Sequence, residues 1–97
     1  MSYTRVLVSE SDLPWSQFMK VFRKSVEPGM TAFKKQKIVS SWSLVQTGDS
    51  TGLLIASFPN KGAMNKYLRT MAAVRRGIEE DTGMQAWVYH GPVKASG

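Results

Sequence analysis

Cysteine is absent from the 97 residues, and histidine occurs once, at His90. Without cysteine there is no disulfide framework and no thiolate chemistry, and a lone histidine leaves no cluster with metal-ligand spacing. A chain without a metal site or other cofactor is therefore expected. No apolar run approaches the roughly 18–20 residues that span a bilayer, and Met1–Glu10 lacks the basic start and apolar block of a secretory signal, so a cytoplasmic protein with no membrane contact is expected. Nor is there a serine, histidine and carboxylate set spaced as a triad, or either common glycine loop that cradles phosphate. Acidic residues are scarce too. Seven Asp and Glu stand against thirteen Lys and Arg, a net charge of +6 that favours anionic small molecules or phosphate. The positive charges are dispersed from Arg5 to Lys94, with Lys34, Lys35 and Lys37 as the one local cluster, which is the pattern of a solvated surface. Glu79, Glu80 and Asp81 stand together at a helix end, where solvent is their natural partner.

What is present is a globular pattern. A 42% hydrophobic and 21% charged composition, at this length, predicts one domain over residues 1–97, small enough to gain from oligomerisation. Thr4–Ser9 sets Thr4, Val6 and Val8 against Arg5, Leu7 and Ser9, the alternation of a strand. Ser11 and Asp12 can cap a following helix, and Pro14 suits its first turn. The stripe Trp15, Phe18, Met19, Phe22 and Val26 faces inward along that helix, which Pro28 and Gly29 end. Met30–Lys37 reads as a basic connecting loop.

Ile38–Gln46 returns to a two-residue alternation and reads as the second strand; the turn residues Gly48 and Asp49 then lead into Thr51–Phe58, so the two strands form an antiparallel hairpin. In TGLLIASF, Leu53 and Ile55 point one way and Leu54, Ala56 and Phe58 the other, and neither side reads as wet. Asn60 caps a second helix, running to about Asp81 before Gly83, with Met64, Tyr67, Leu68, Met71, Val74 and Ile78 as its buried stripe. Met84–His90 is the last strand, ended by Gly91 and Pro92. The order β-α-β-β-α-β is that of an α+β ferredoxin-like fold, a four-stranded antiparallel sheet with two helices on one face.

Such a sheet leaves its other face open. RNA-recognition modules place stacking rings there, but the window Thr51–Phe58 holds aliphatics at both stacking positions and no basic residue at the start, which disfavours single-stranded nucleic acid. The alternative is a second copy of the chain. At about 25 cal/mol per Å2 of apolar surface, a covered sheet face gives a strong drive to form a homodimer.

The chain here resembles a known family, the dimeric α/β-barrel proteins related to antibiotic-biosynthesis monooxygenases. The resemblance runs from about Thr4 to Val93 and rests on Glu27-Pro28-Gly29 at the end of the first helix, the strand into Phe58, and Ala63-Met64-Asn65-Lys66-Tyr67-Leu68 opening the second. It implies two sheets packed face to face and a cleft between sheet and helices, in a superfamily of cofactor-free oxygenases, haem-degrading enzymes, isomerases and members without known activity. Tyr67 is similar to the aromatic of the haem-degrading branch, but the position of that branch's axial histidine falls at Gly77. Haem degradation is disfavoured, and His90 does not take that place.

Three residues are the candidates for ligand binding: Arg75, Tyr67 and Trp42. Eleven steps of helix carry Met64 round to within about 20° of Arg75, so a guanidinium lies inside the apolar stripe. It either snorkels to water and pairs with Glu79, or points into the cleft and binds an anionic or enolate oxygen. Trp42, Tyr67 and Trp87 either pack the core or wall a flat cavity in which Tyr67 supplies a hydroxyl. Gly77 inside the helix costs about 1 kcal/mol against alanine and suggests a close approach to sheet or ligand. The expected ligand is a small apolar or anionic molecule, oxidised or isomerised without a metal if the protein is catalytic; the non-catalytic dimeric module stands beside that reading.

Overall fold

The structure is a computed structural model describing residues 2–97, apart from the side chains of Asp81 and Thr82; Met1 and the Asp81 side chain, which the readings above include, lie outside the described residues. The elements in chain order are β1 (Tyr3–Glu10), α1 (Trp15–Ser25), α2 (Glu27–Lys35), β2 (Ser41–Gln46), β3 (Thr51–Phe58), α3 (Lys61–Thr82) and β4 (Gln85–Pro92). The four strands form one sheet in the order β2-β3-β1-β4, with every neighbour antiparallel. This is the expected ferredoxin-like arrangement, with three helices where two were expected. No helix among the described residues is long and apolar enough to cross a membrane.

The third helix is a correction to the expected loop at Met30–Lys37. Pro28 and Gly29 do not end a helix; they sit in the first turn of α2, where the N–H that proline lacks has no helical acceptor anyway. Val26 is the corner: its N–H donates to Phe22 O at 2.8 Å and its carbonyl accepts from Met30 N at 3.0 Å, so one helix passes directly into the next. The stop comes later. Lys37 N–H donates to Lys34 O and Ile38 N–H to Phe33 O, the two-bond closure that ends a helix with a left-handed residue, here Lys37 at φ 62°. Glycine is the usual signal for that conformation, and lysine conceals it. Because Ile38 and Val39 both donate back to Phe33 O, the ladder of β2 starts at Ser41 rather than Ile38.

Other boundaries have similarly local causes. Ser11 and Asp12 do not cap α1; the Leu13 N–H donates to Ser11 Oγ at 3.0 Å, and the N-cap position belongs to Pro14. Gly91 and Pro92 continue β4, opposite Thr4 and Tyr3, because β4 is an edge strand and can hold a residue without an N–H. Asn60 caps α3 as expected, its Oδ1 accepting from Ala63 N–H at 2.8 Å, and Gly83 closes it at φ 62°.

Burial assigns the two faces of the sheet. Residues directly opposite one another share a face, so Arg5, Leu7 and Ser9 of β1, all buried, lie with Leu54 and Ala56 of β3 under the helices. Phe58, Met30, Met64 and Val39 are the most deeply buried side chains of the core beneath that layer. Gly52 has a packing role: a Cβ there would lie 3.0 Å from the Trp15 ring and 3.1 Å from Val45 O. Val6, Val8, Leu53 and Ile55 lie on the uncovered face with Trp87 and Tyr89.

Candidate functional site

A cavity opens between the sheet and the helix layer. About 50 Å3 of it is open to the centres of water molecules, and its unfilled space including the mouth is about 500 Å3. The floor is Arg5, Leu7 and Ser9 of β1 with Leu54 of β3; Phe18 and Phe22 of α1 and Tyr67, Met71, Val74 and Arg75 of α3 stand around it. Most of that wall is hydrocarbon. Two of its members are cations, and no carboxylate or histidine lines it among the described residues.

Arg5 reaches the cavity because β1 alternates strictly and its inner face carries residues 5, 7 and 9. It is only 3% exposed, and its Nε has no hydrogen-bond partner. The Nε of Arg75 is likewise buried and unpartnered. One ion pair is present among the described residues, Arg23 with Glu27 at 4.0 Å, so the reading that ties Arg75 to Glu79 is not realised. Burial lowers the pKa of Arg5 from its ordinary value; the neighbouring Arg75 charge adds to that fall and Tyr67 opposes it.

Tyr67 is 2% exposed, with its ring edge-on to Phe33 at 5.4 Å and tilted against Phe58 at 5.3 Å. Burial raises its pKa above the ordinary 10, and the charges of Arg5 and Arg75 partly offset that rise. The hydroxyl is therefore a neutral donor at physiological pH, not a base. Ser9, beside them on the floor, points its hydroxyl toward Gly52 O at 3.4 Å.

Of the three residues singled out in the sequence, Arg75 and Tyr67 line this cavity and Trp42 does not. Trp42 packs on Phe22 at 5.9 Å and borders a shallow surface depression with Thr31, Lys34 and Lys35. Trp87 is on the opposite side of the sheet, across from Val8 and 49% exposed, so it walls no cavity under the helices. His90 is opposite Arg5 in the ladder, exposed and outside the lining. Gly77 is no close approach: nothing lies within 4 Å of where its Cβ would stand. Glu79 and Glu80 are exposed, as a solvated helix end requires. Arg5 is the residue that sequence reasoning missed. Its signal was present, since Leu7 on the central strand had to face the helices and carries Arg5 with it.

No family model matches the sequence, and no curated protein matches it. Solved structures do. SnoaB, a cofactor-independent oxygenase from Streptomyces nogalater, superposes with a TM-score of 0.74 at 13% identity, over 98% of this chain and 95% of its own. A dimeric ferredoxin-like protein from an uncultured marine organism gives a TM-score of 0.80 at 7% identity, over 97% and 96%. A Deinococcus radiodurans protein provisionally assigned as an antibiotic biosynthesis monooxygenase gives 0.73 at 10% identity, over 99% and 95%. At such identities the likeness extends to the backbone and not to the chemistry. This chain has the ferredoxin-like fold that these structures share.

Proposed function

We propose that the protein binds a small, flat, largely apolar molecule bearing an anionic or enolate oxygen in the cavity beneath its helices, and that it does so as a homodimer with the uncovered sheet faces together. The observation that carries the first part is the pair of guanidinium Nε groups, on Arg5 and Arg75, left buried without partners in a cavity otherwise walled by hydrocarbon. Guanidinium keeps its charge in such surroundings and offers a planar fork to an oxyanion. The apolar wall supplies area for a ring, and the Tyr67 hydroxyl supplies a neutral donor.

The dimer is supported by the exposed apolar residues of the uncovered face, Val45, Trp87 and Tyr89 among them, and by the dimeric description of one structure with this fold. The reaction class such a cavity suits is one driven by charge stabilisation. A bound enol or phenol that ionises beside two cations becomes a carbanion equivalent, the form that reacts directly with dioxygen or shifts a double bond. With no carboxylate or histidine in the lining among the described residues, the proton goes to water, and the substrate has to be acidic enough to bind as the anion. SnoaB's description as a cofactor-independent oxygenase agrees with that class.

The test is binding, followed by tryptophan fluorescence or calorimetry at pH 7. Benzoate is expected to bind while benzyl alcohol and benzylammonium do not, and Arg75→Met is expected to weaken benzoate at least ten-fold. Equal binding of acid and alcohol, or no binding of either, would overturn the anion reading.

A further inference from the structure

From the two guanidiniums that share one apolar cavity, each with a buried and unpartnered Nε, we infer that the natural ligand presents two anionic or strongly accepting oxygens on one flat body, one for Arg5 and one for Arg75. The inference rests on the reading of the cavity as an anion site and makes it narrower: the ligand class is a flat molecule with two separate acidic groups, such as an aromatic dicarboxylate.

Charge count is the first argument. Arg5 is almost fully enclosed, and the cavity lining contains two full positive charges and no carboxylate among the described residues. A buried charge without a counter-charge costs several kcal/mol, and like charges within one low-dielectric space add to that cost. A monoanion neutralises one guanidinium and leaves its neighbour as before. A ligand with two oxygen groups neutralises both.

Placement is the second argument. Arg5 projects from the central strand and Arg75 from the helix above it, so the two cations approach a bound ring from different elements rather than forming one fork from one side. Each guanidinium has five donors, and in both the Nε is still unused. A single carboxylate has two oxygens close together, suited to one guanidinium. Two cations supplied by two different elements suit oxygens on two separate groups of a rigid frame, and hydrocarbon of the same lining, such as Leu54 and Met71, is available to pack against that frame. Burial is the main cause that lowers the Arg5 pKa and the charge of Arg75 a smaller one, and a ligand of this kind relieves that repulsion as well.

The experiment compares benzoate with the ortho, meta and para benzenedicarboxylates on the full chain at pH 7 and fixed ionic strength; three isomers are used so that the result does not depend on one oxygen spacing. At least one isomer is expected to bind ten-fold or more tightly than benzoate. That preference is expected to fall below three-fold in Arg75→Met, and in Arg5→Met should the first variant not fold. If benzoate binds and no isomer exceeds it by three-fold, or if the preference survives both substitutions, the two-oxygen inference is overturned while the anion site stands. If neither benzoate nor any isomer binds, both fall.

Discussion

On the helix-covered face of the sheet, a cation on the central strand, Arg5, is 3% exposed; on the uncovered face, the edge strand presents Tyr89 at 68% exposure and Trp87 at 49%. The two faces break the same rule of burial in opposite senses. A buried guanidinium without a partner costs several kcal/mol, and an apolar side chain left in water forgoes about 1.5–3 kcal/mol of the stabilisation it would gain on burial. Either departure alone would be a curiosity of a small domain. Together, on one sheet, they separate two kinds of missing contact: among the described residues the cavity of the covered face has no carboxylate in its lining, and the apolar side chains of the other face are exposed. A small anion fits the first need and a second copy of the chain fits the second.

The largest effect is expected where the comparison is broken on the uncovered face. Replacing Ile55 and Tyr89 together by glutamate puts two charges on the face assigned to the partner, and should raise the dimer dissociation constant at least 100-fold, about 2.7 kcal/mol. Sedimentation at micromolar concentration reads it, as a change from the mass of two chains to that of one. A wild-type chain that sediments as a stable, folded monomer would remove the contrast itself, since the face would then tolerate water.

On the covered face the expected effect is smaller and has the opposite sign for stability. Arg5→Met replaces a buried cation whose Nε has no partner by a side chain of similar length that needs none, so the ligand-free protein should gain about 1–4 kcal/mol in urea unfolding. The same change should weaken anion binding at least ten-fold. Stability lost together with affinity would show instead that Arg5 is held by the fold for its own sake.

How much of this was legible in the sequence follows from the range of each signal. Strand alternation and helix stripe act between near neighbours, so β1, β3, α3 and the cap at Asn60 could be read directly. The Val26 corner and the α2 stop could not, because a proline suits the first turn of a helix as well as the end of one, and Lys37 takes the left-handed position where glycine would have announced it. Arg75 was legible because eleven helical steps are arithmetic. Trp42 was misplaced because alternation gives the face of a strand but not the position along it: the edge strand β2 reaches the cavity through Leu44, two residues on, and not through Trp42. Arg5 needed one further step, the choice of which β1 face is covered, and that choice depends on helices distant in sequence.

The smallest effect sharpens the comparison from within the cavity, through Tyr67. Its folded pKa is raised above 10, with burial as the main cause, while the unfolded tyrosine keeps the ordinary value. Between those two values the folded chain holds a proton that the unfolded chain has lost, so stability is independent of this group below pH 10 and falls as pH rises past it towards the folded value, by at most about 1.4 kcal/mol per pH unit. Tyr67→Phe should therefore change stability little at pH 7 yet flatten the alkaline decline, measured as the difference between the two proteins' urea midpoints from pH 9 to 11. Because the Arg5 charge holds the Tyr67 pKa down, Arg5→Met should raise it further and extend the decline to higher pH. An alkaline slope identical in wild type and Tyr67→Phe would mean that the hydroxyl is in contact with water, and a cavity that wet would not make two cations seek an anion.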